Sequence, residues 1–419
     1  MKMFSAETYQ NEFLPTGAAE VNAVVTVTAS GDDDNGSTRA AELVVVDTSG
    51  SMSGPKLRAA QDATAAAIDC IRDGVAFGVI AGTEIASAVY PRNGALVAAS
   101  ESTRSEAAQA VRSLSAGGGT AIGSWLLLAK EMFATSPDVI HHAILLTDGK
   151  DEGETEAELA RALEACIGSF QCDCRGVGTD WEVAELRRIA SALLGTVDIV
   201  AEPSGLEADF RSMIQQAMGK QTADVALRLW TPQGAEVSFV RQVSPTIEDL
   251  TGHARARDAR TTDYATGAWG EETRDYHLSI QVPPREVHEE MLAGRVSLVV
   301  GADVVGQALI RAVWTDDEAL STRINLEVAH YTGQADLAEA IQEGLEARRT
   351  GDERTATVQL GRAVQLAAES GNEATMQLLQ QVVEVEDAAS GTVRLKSQVD
   401  DAEEMTLDTR STRSVRVER

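Results

Sequence analysis

Aromatic side chains are scarce in this 419-residue sequence, at 4% Phe, Trp and Tyr. A core must therefore be assembled from Ala, Val, Leu and Ile, and the 43% hydrophobic content is ordinary for a globular chain. Basic residues are also short: 36 Lys and Arg stand against 65 Asp and Glu, a formal net charge of −29. General nucleic-acid binding needs a basic footprint, so that class is excluded. The same balance makes cations the natural small partners. No stretch approaches the roughly 18 uncharged apolar residues of a membrane span. The first residues, MKMFSAETYQNEFLP, lack an apolar core of signal-peptide length. The expectation is a cytoplasmic protein without membrane contact. Four cysteines (Cys70, Cys166, Cys172, Cys174) are too few and too clustered for a disulfide framework.

What is present is organised by changes of rhythm. Residues 20–30, EVNAVVTVTAS, alternate as a strand does, and GDDDNGS (31–37) is a polar turn. Within 41–47 the run Leu43–Val46 is apolar without a break and ends on Asp47, which predicts a strand buried on both faces. Strands and helices then alternate for about 180 residues, the pattern of a doubly wound, mostly parallel α/β sheet. From Asp224 short strands follow one another with turns between, as in an antiparallel sandwich. From Ala335 the pattern is helical, with Gly351 and Gly371 placed as helix stops. These rhythms divide the chain into residues 1–37, giving early sandwich strands; 38–220, an inserted α/β domain; 221–332, the sandwich; 333–390, a helical bundle; and 391–419, a polar tail read as disordered.

Ligands of open α/β sheets bind at the carboxyl ends of the strands. Three loops there carry oxygen donors: Asp47-Thr-Ser49-Gly-Ser51, Gly117-Gly-Gly-Thr120 opening a helix, and Thr147-Asp148-Gly149 after HHAILLT. Each loop alone reads equally as a turn with Asx and hydroxyl hydrogen bonds. Together they offer two carboxylates and three hydroxyls without histidine or thiol. Hard oxygen donors suit Mg²⁺, Mn²⁺ or Ca²⁺ rather than Zn²⁺.

DTSGSMSG resembles the D-x-S-x-S motif of the von Willebrand factor type A family, and GGGT and LLTDG resemble its second and third motifs, in the same order. The resemblance covers roughly residues 38–220 and implies a metal-ion-dependent adhesion site. In it Ser49, Ser51 and Thr120 would touch the ion, and Asp47 and Asp148 would act directly or through water. It implies an open coordination position for a carboxylate of a protein partner, hence a non-enzymatic adaptor. The order of sandwich strand, A domain, sandwich and helices also resembles bacterial cytosolic A-domain proteins.

Other readings stand beside this one. Aspartyl-phosphate phosphatases place a second carboxylate two positions after the first, where this chain has Ser49. A metal-dependent hydrolase or phosphatase using the same ion is nevertheless an alternative. Another is a subunit of an ATPase-driven assembly machine; the absence of a Walker motif puts any ATPase on another chain. His141 and His142 read as structural at a strand start, and the cysteines as buried small hydrophobes rather than zinc ligands. In the tail, Thr406, Thr409 and Thr412 lie among arginines. They are candidate phospho-acceptors for a phosphothreonine-reading (FHA-type) domain.

Overall fold

The computed structural model describes residues 3–31 and 40–417. From Asp32 on, the turn GDDDNGS lies outside the described residues. The chain separates into two units, Met1–Asp33 with Asp224–Arg419, and Asp34–Ala223. The first unit begins with β1 (Met3–Gln10), β2 (Phe13–Pro15) and β3 (Glu20–Ser30).

The second unit holds β4 (Ala40–Asp47), α1 (Pro55–Cys70), β5 (Ala76–Gly82), β6 (Ser87–Tyr90), β7 (Val97–Ala98), α2 (Glu101–Arg112) and α3 (Ile122–Phe133). It continues through β8 (Ile140–Thr147), α4 (Glu156–Cys166), β9 (Gln171–Val177), α5 (Val183–Ala192), β10 (Val197–Val200) and α6 (Leu206–Met218). The sheet order is β10-β9-β8-β4-β5-β6, with β7 also beside β5. Strands β4, β5, β8, β9 and β10 are parallel, and β6 and β7 run antiparallel to β5. Every residue of β4 is buried, because helices cover both faces of a parallel sheet. From β4 the chain steps to β5 on one side and later returns to β8 on the other. That reversal opens a crevice at the carboxyl ends of β4 and β8. Gly82 closes β5 directly under Trp125: a Cβ there would lie 2.3 Å from the indole. Trp125 Nε1 donates to the Thr83 carbonyl at 2.6 Å, which fixes the start of α3 and the loop before it.

The first unit resumes with β11 (Val225–Trp230), β12 (Glu236–Ser244), β13 (Glu248–Asp249), β14 (Ala254–Asp258), β15 (Thr261–Ala265), β16 (Glu272–Gln281), β17 (Glu290–Val300) and β18 (Asp303–Thr315). These form sheets β1-β3-β16-β12-β13 and β14-β15-β11-β17-β18-β2. On β11, Val225, Leu227 and Leu229 are buried while Ala226, Arg228 and Trp230 are only half-buried. One face of that sheet is core and the other meets water.

Helices close the chain: α7 (Glu318–Ser321), α8 (Leu326–Arg349), α9 (Glu353–Glu369) and α10 (Glu373–Val382), then the hairpin β19 (Val383–Asp387) and β20 (Thr392–Leu395), and α11 (Asp401–Arg410). Helix α8 starts at Leu326, ahead of the expected Ala335, because the Asn325 side chain caps the Val328 N–H. Gly351 and Gly371 adopt left-handed φ of 80° and 66°. After each, the next N–H reaches back, Asp352 to Ala347 O at 2.8 Å and Asn372 to Ala367 O at 3.0 Å. Asp352 and Asn372 then cap the following helices through the Thr355 and Thr375 N–H groups. Each Gly-Asp/Asn pair thus stops one helix and starts the next.

The expectation of a disordered tail over 391–419 is corrected for the described residues, which run to 417. Residues 392–395 form a strand and Asp401–Arg410 a helix, with Leu407 fully buried. The residues that read as too polar to fold have partners. Arg348 pairs with Glu404 at 2.5 Å, Arg349 binds Asp408, and Arg416 Nε lies 3.1 Å from the buried Asp275 carboxylate. The bundle expected to end at 390 likewise gives way to a hairpin at Val383. Thr409, offered as a phospho-acceptor, is 2% exposed and donates to the Met405 carbonyl. Thr406 makes the same bond to Ala402 O, and Thr412 O accepts from the Ile247 N–H. Thr406 and Thr409 therefore sit on a packed helix rather than a free peptide, and Thr412 follows it in a turn.

Candidate metal centre

Strand β4 delivers Asp47, fully buried, into the crevice. One carboxylate oxygen accepts the Ser49 N–H at 2.7 Å and the other the Thr147 hydroxyl at 2.5 Å. Burial raises the Asp47 pKa, as does the nearby Asp148 charge, against the opposing hydrogen bonds from Ser49 and Thr147. Ser49 Oγ and Ser51 Oγ lie 3.0 Å apart, and Ser51 donates to Asp148 Oδ1 at 2.7 Å. Asp148, just past the end of β8, is fully buried, whereas Ser51 is exposed. The buried donors thus open to solvent beside one hydroxyl.

The glycine loop supplies the fifth donor. Its backbone is tied to the first loop, Gly117 N–H to Thr48 O at 2.8 Å and Gly50 N–H to Gly118 O at 3.0 Å. Gly118 takes a φ of 85°, which an L side chain rarely adopts. Gly149 faces both remaining hydroxyls: a Cβ on it would lie 3.4 Å from Ser51 Oγ and 3.8 Å from Thr120 Oγ1. Among the described residues Thr120 Oγ1 makes no hydrogen bond, although the residue is 5% exposed. Asp47, Ser49, Ser51, Thr120 and Asp148 are thus brought into one cradle of hard oxygen donors, the donor set that fits Mg²⁺, Mn²⁺ or Ca²⁺.

Two features escape the sequence reading. Lys56 Nζ lies 2.5 Å from Asp148 Oδ2 and 3.2 Å from Asp180. Its pKa is raised; burial acts the other way but is outweighed by Asp148 and Asp180. The signal was its place in the first turn of α1, where a cation opposes the helix dipole and needs another partner. The second feature is the pair of carboxylates around His142, a residue read from the sequence only as structural. The His142 Nδ1 lies 2.7 Å from Glu42 on β4 and its Nε2 3.0 Å from Asp173 on β9. Burial alone would lower its pKa, but the two carboxylates push it up to about 10. Glu42 is raised, chiefly by burial, and Asp173 is held well below the carboxylate range, mainly by its bond to His142 overcoming burial. These groups lie toward the opposite end of the sheet from Asp47, as a buried ionic clasp across three strands. His141 bonds the Ser136 and Ser169 carbonyls and stacks on Phe133. Cys166, Cys172 and Cys174 are buried free thiols. Among the described residues no group of three His, Cys, Asp or Glu side chains is placed to hold a metal.

Family models for the von Willebrand factor type A domain and for the von Willebrand factor type A C-terminal domain match residues 21–199 and 365–411. The solved von Willebrand factor type A protein from Catenulispora acidiphila is 52% identical, covers 99% of this chain and 97% of its own, and superposes with a TM-score of 0.95. The ArnB paralog VWA2 from Sulfolobus acidocaldarius, 15% identical over 98% of both chains with a TM-score of 0.61, shares the fold. Protein sll0103 from Synechocystis is 32% identical over 237 residues, 54% of each chain, so this chain matches about half the length of that curated relative. On the model matches and the near-complete cover of the Catenulispora protein, the chain belongs to the von Willebrand factor type A family.

Proposed function

We propose that this protein is a metal-dependent, non-enzymatic adaptor. Its family commonly mediates protein interactions. In this reading Asp47, Ser49, Ser51, Thr120 and Asp148 form an intact adhesion site holding Mg²⁺, with Mn²⁺ or Ca²⁺ as substitutes. The ion would offer a position to a carboxylate of a partner protein. The observation that carries the proposal is the convergence of three loops at one crevice, with Thr120 Oγ1 unengaged and Ser51 facing solvent. Mostly neutral ligands leave the ion electrophilic enough to recruit an anion. Free thiols at Cys70, Cys166, Cys172 and Cys174, the last three buried, support a reducing, cytoplasmic place.

Calorimetry tests the metal: Mg²⁺ binds wild type with one-site stoichiometry and gives no binding heat with Asp47→Ala. Retention of a partner by immobilised protein in Mg²⁺, released by EDTA and absent with Asp47→Ala, tests the adaptor role. Turnover of a generic phosphoester that Asp148→Ala abolishes would replace the adaptor with a hydrolase.

A further inference from the structure

We infer that the outer face of the sandwich carries a groove for an acidic peptide segment of a partner protein. The groove lies on β11, β14, β15 and β17, in the first unit. On β11 the odd positions are core, so Arg228 and Trp230 point outward. Register places Trp230 beside Arg295 of β17 and Thr261 of β15, and Arg228 beside Asp263. The cavity measures about 640 Å³ and is lined by Arg228, Trp230, Arg257, Asp258, Thr261 and Arg295, with the turn at Gly301 and Ala302 as one wall.

Its charge is opposite to that of the chain. In a protein of net charge −29, the described groove lining holds Arg228, Arg257 and Arg295 with Asp258, and Arg255, Arg260 and Asp263 lie beside it. Asp263 holds two guanidinium groups at once. It accepts Arg228 Nε at 2.7 Å and Nη2 at 3.0 Å, and Arg257 Nε at 2.7 Å. One carboxylate therefore positions two cations and leaves a surplus of positive charge. Arg260 and Arg295 reach no carboxylate within salt-bridge distance among the described residues. Both lie against the Trp230 ring instead, 5.6 and 5.4 Å from its centroid. Asp258 accepts the Arg260 backbone N–H at 2.8 Å, an intraloop bond made to the main chain rather than to the guanidinium.

The chemistry of this face selects its occupant. Guanidinium groups pair with carboxylates through two parallel N–H bonds, and the half-buried indole offers an apolar shelf for the methylenes of a glutamate. A nucleic acid carries charge along its whole length, and phosphates beyond the groove would meet an acidic surface. A peptide can confine a short acidic run to the groove and continue with neutral residues. This site is separate from the metal centre and does not depend on it.

Trp230 provides the reporter. The other four tryptophans, Trp125, Trp181, Trp269 and Trp314, are at most 2% exposed. Full-length protein is titrated into fluorescein-labelled oligoglutamate, with Trp emission and anisotropy read together. Binding saturates, quenches Trp230 and weakens with added salt. Arg260→Ser with Arg295→Ser weakens it about tenfold, at about two- to fivefold per exposed pair, while the melting temperature holds. Asp47→Ala leaves it unchanged, so loss of the metal reading and loss of this one remain distinguishable. No saturation at low salt, an unchanged affinity in the double variant, or tighter binding of oligo-dT of equal charge would each overturn the proposal.

Discussion

Lys56→Met tests the account of the crevice most directly. Methionine keeps much of the stem and removes the ammonium that lies 2.5 Å from the fully buried Asp148. Breaking a buried ion pair costs ~3–5 kcal/mol. Here the lysine side chain is 27% exposed, and Asp148 keeps the Ser51 hydroxyl. The expected loss in chelator is therefore about 2 kcal/mol. For a unit the size of Asp34–Ala223 that lowers the melting temperature by about 4–8 °C. Mg²⁺ supplies the missing positive charge. Wild type gains from Mg²⁺ too, so at saturation the deficit closes by RT ln of the ratio of the two Kd values. A variant that, freed of the competing ammonium, binds Mg²⁺ about 30-fold more tightly recovers about 2 kcal/mol. Thermal melts of both proteins in EDTA and in Mg²⁺, with calorimetric Kd values, measure this. The deficit should be large in EDTA and nearly absent in Mg²⁺. An equal deficit in both buffers, or weaker Mg²⁺ binding by the variant, would refute the view that Lys56 and the ion serve the same carboxylate.

Thr120→Ala should abolish most Mg²⁺ binding yet shift stability by only about 0.5 kcal/mol, since the lost hydroxyl makes no hydrogen bond; calorimetry beside urea denaturation separates the two. His142 carries a proton in the folded state up to about pH 10, against about 6.5 in an unfolded chain. Its stabilisation is complete below the unfolded value and declines as pH rises toward the folded one, by up to about 1.4 kcal/mol per unit. Urea denaturation at pH 7 and pH 9 should show that slope in wild type and a flatter one in His142→Gln. Thr409→Glu buries a carboxylate at a 2% exposed position and should cost about 2–3 kcal/mol, whereas Glu at the neighbouring half-buried Thr406 should cost less, as read from the same denaturation curves.

The sequence by itself determined the α/β class and the donor loops. Their signals are local: an unbroken apolar run ending on Asp47, glycines before Thr120, and a second such run ending on Thr147-Asp148. Period and burial agree there because a parallel strand covered on both faces has no polar side to write into the chain. The helix stops at Gly351 and Gly371 were legible for the same reason, since a left-handed residue after a helix favours glycine in any context. What only the tertiary structure decided is pairing between distant charges. Lys56 looks like an exposed lysine until Asp148, 92 positions on, reaches it. Glu42 and His142 look like polar ends of apolar strands until the register sets them opposite each other, with Asp173 one strand further. The tail misled for this cause: arginines, acids and hydroxyls without an apolar period resemble a solvated segment. They order once Asp275, Arg348 and Arg349 present buried or half-buried partners from elsewhere in the same unit. Composition counts charges but not their neighbours, and a charge folds or stays in water according to whether a neighbour replaces its hydration.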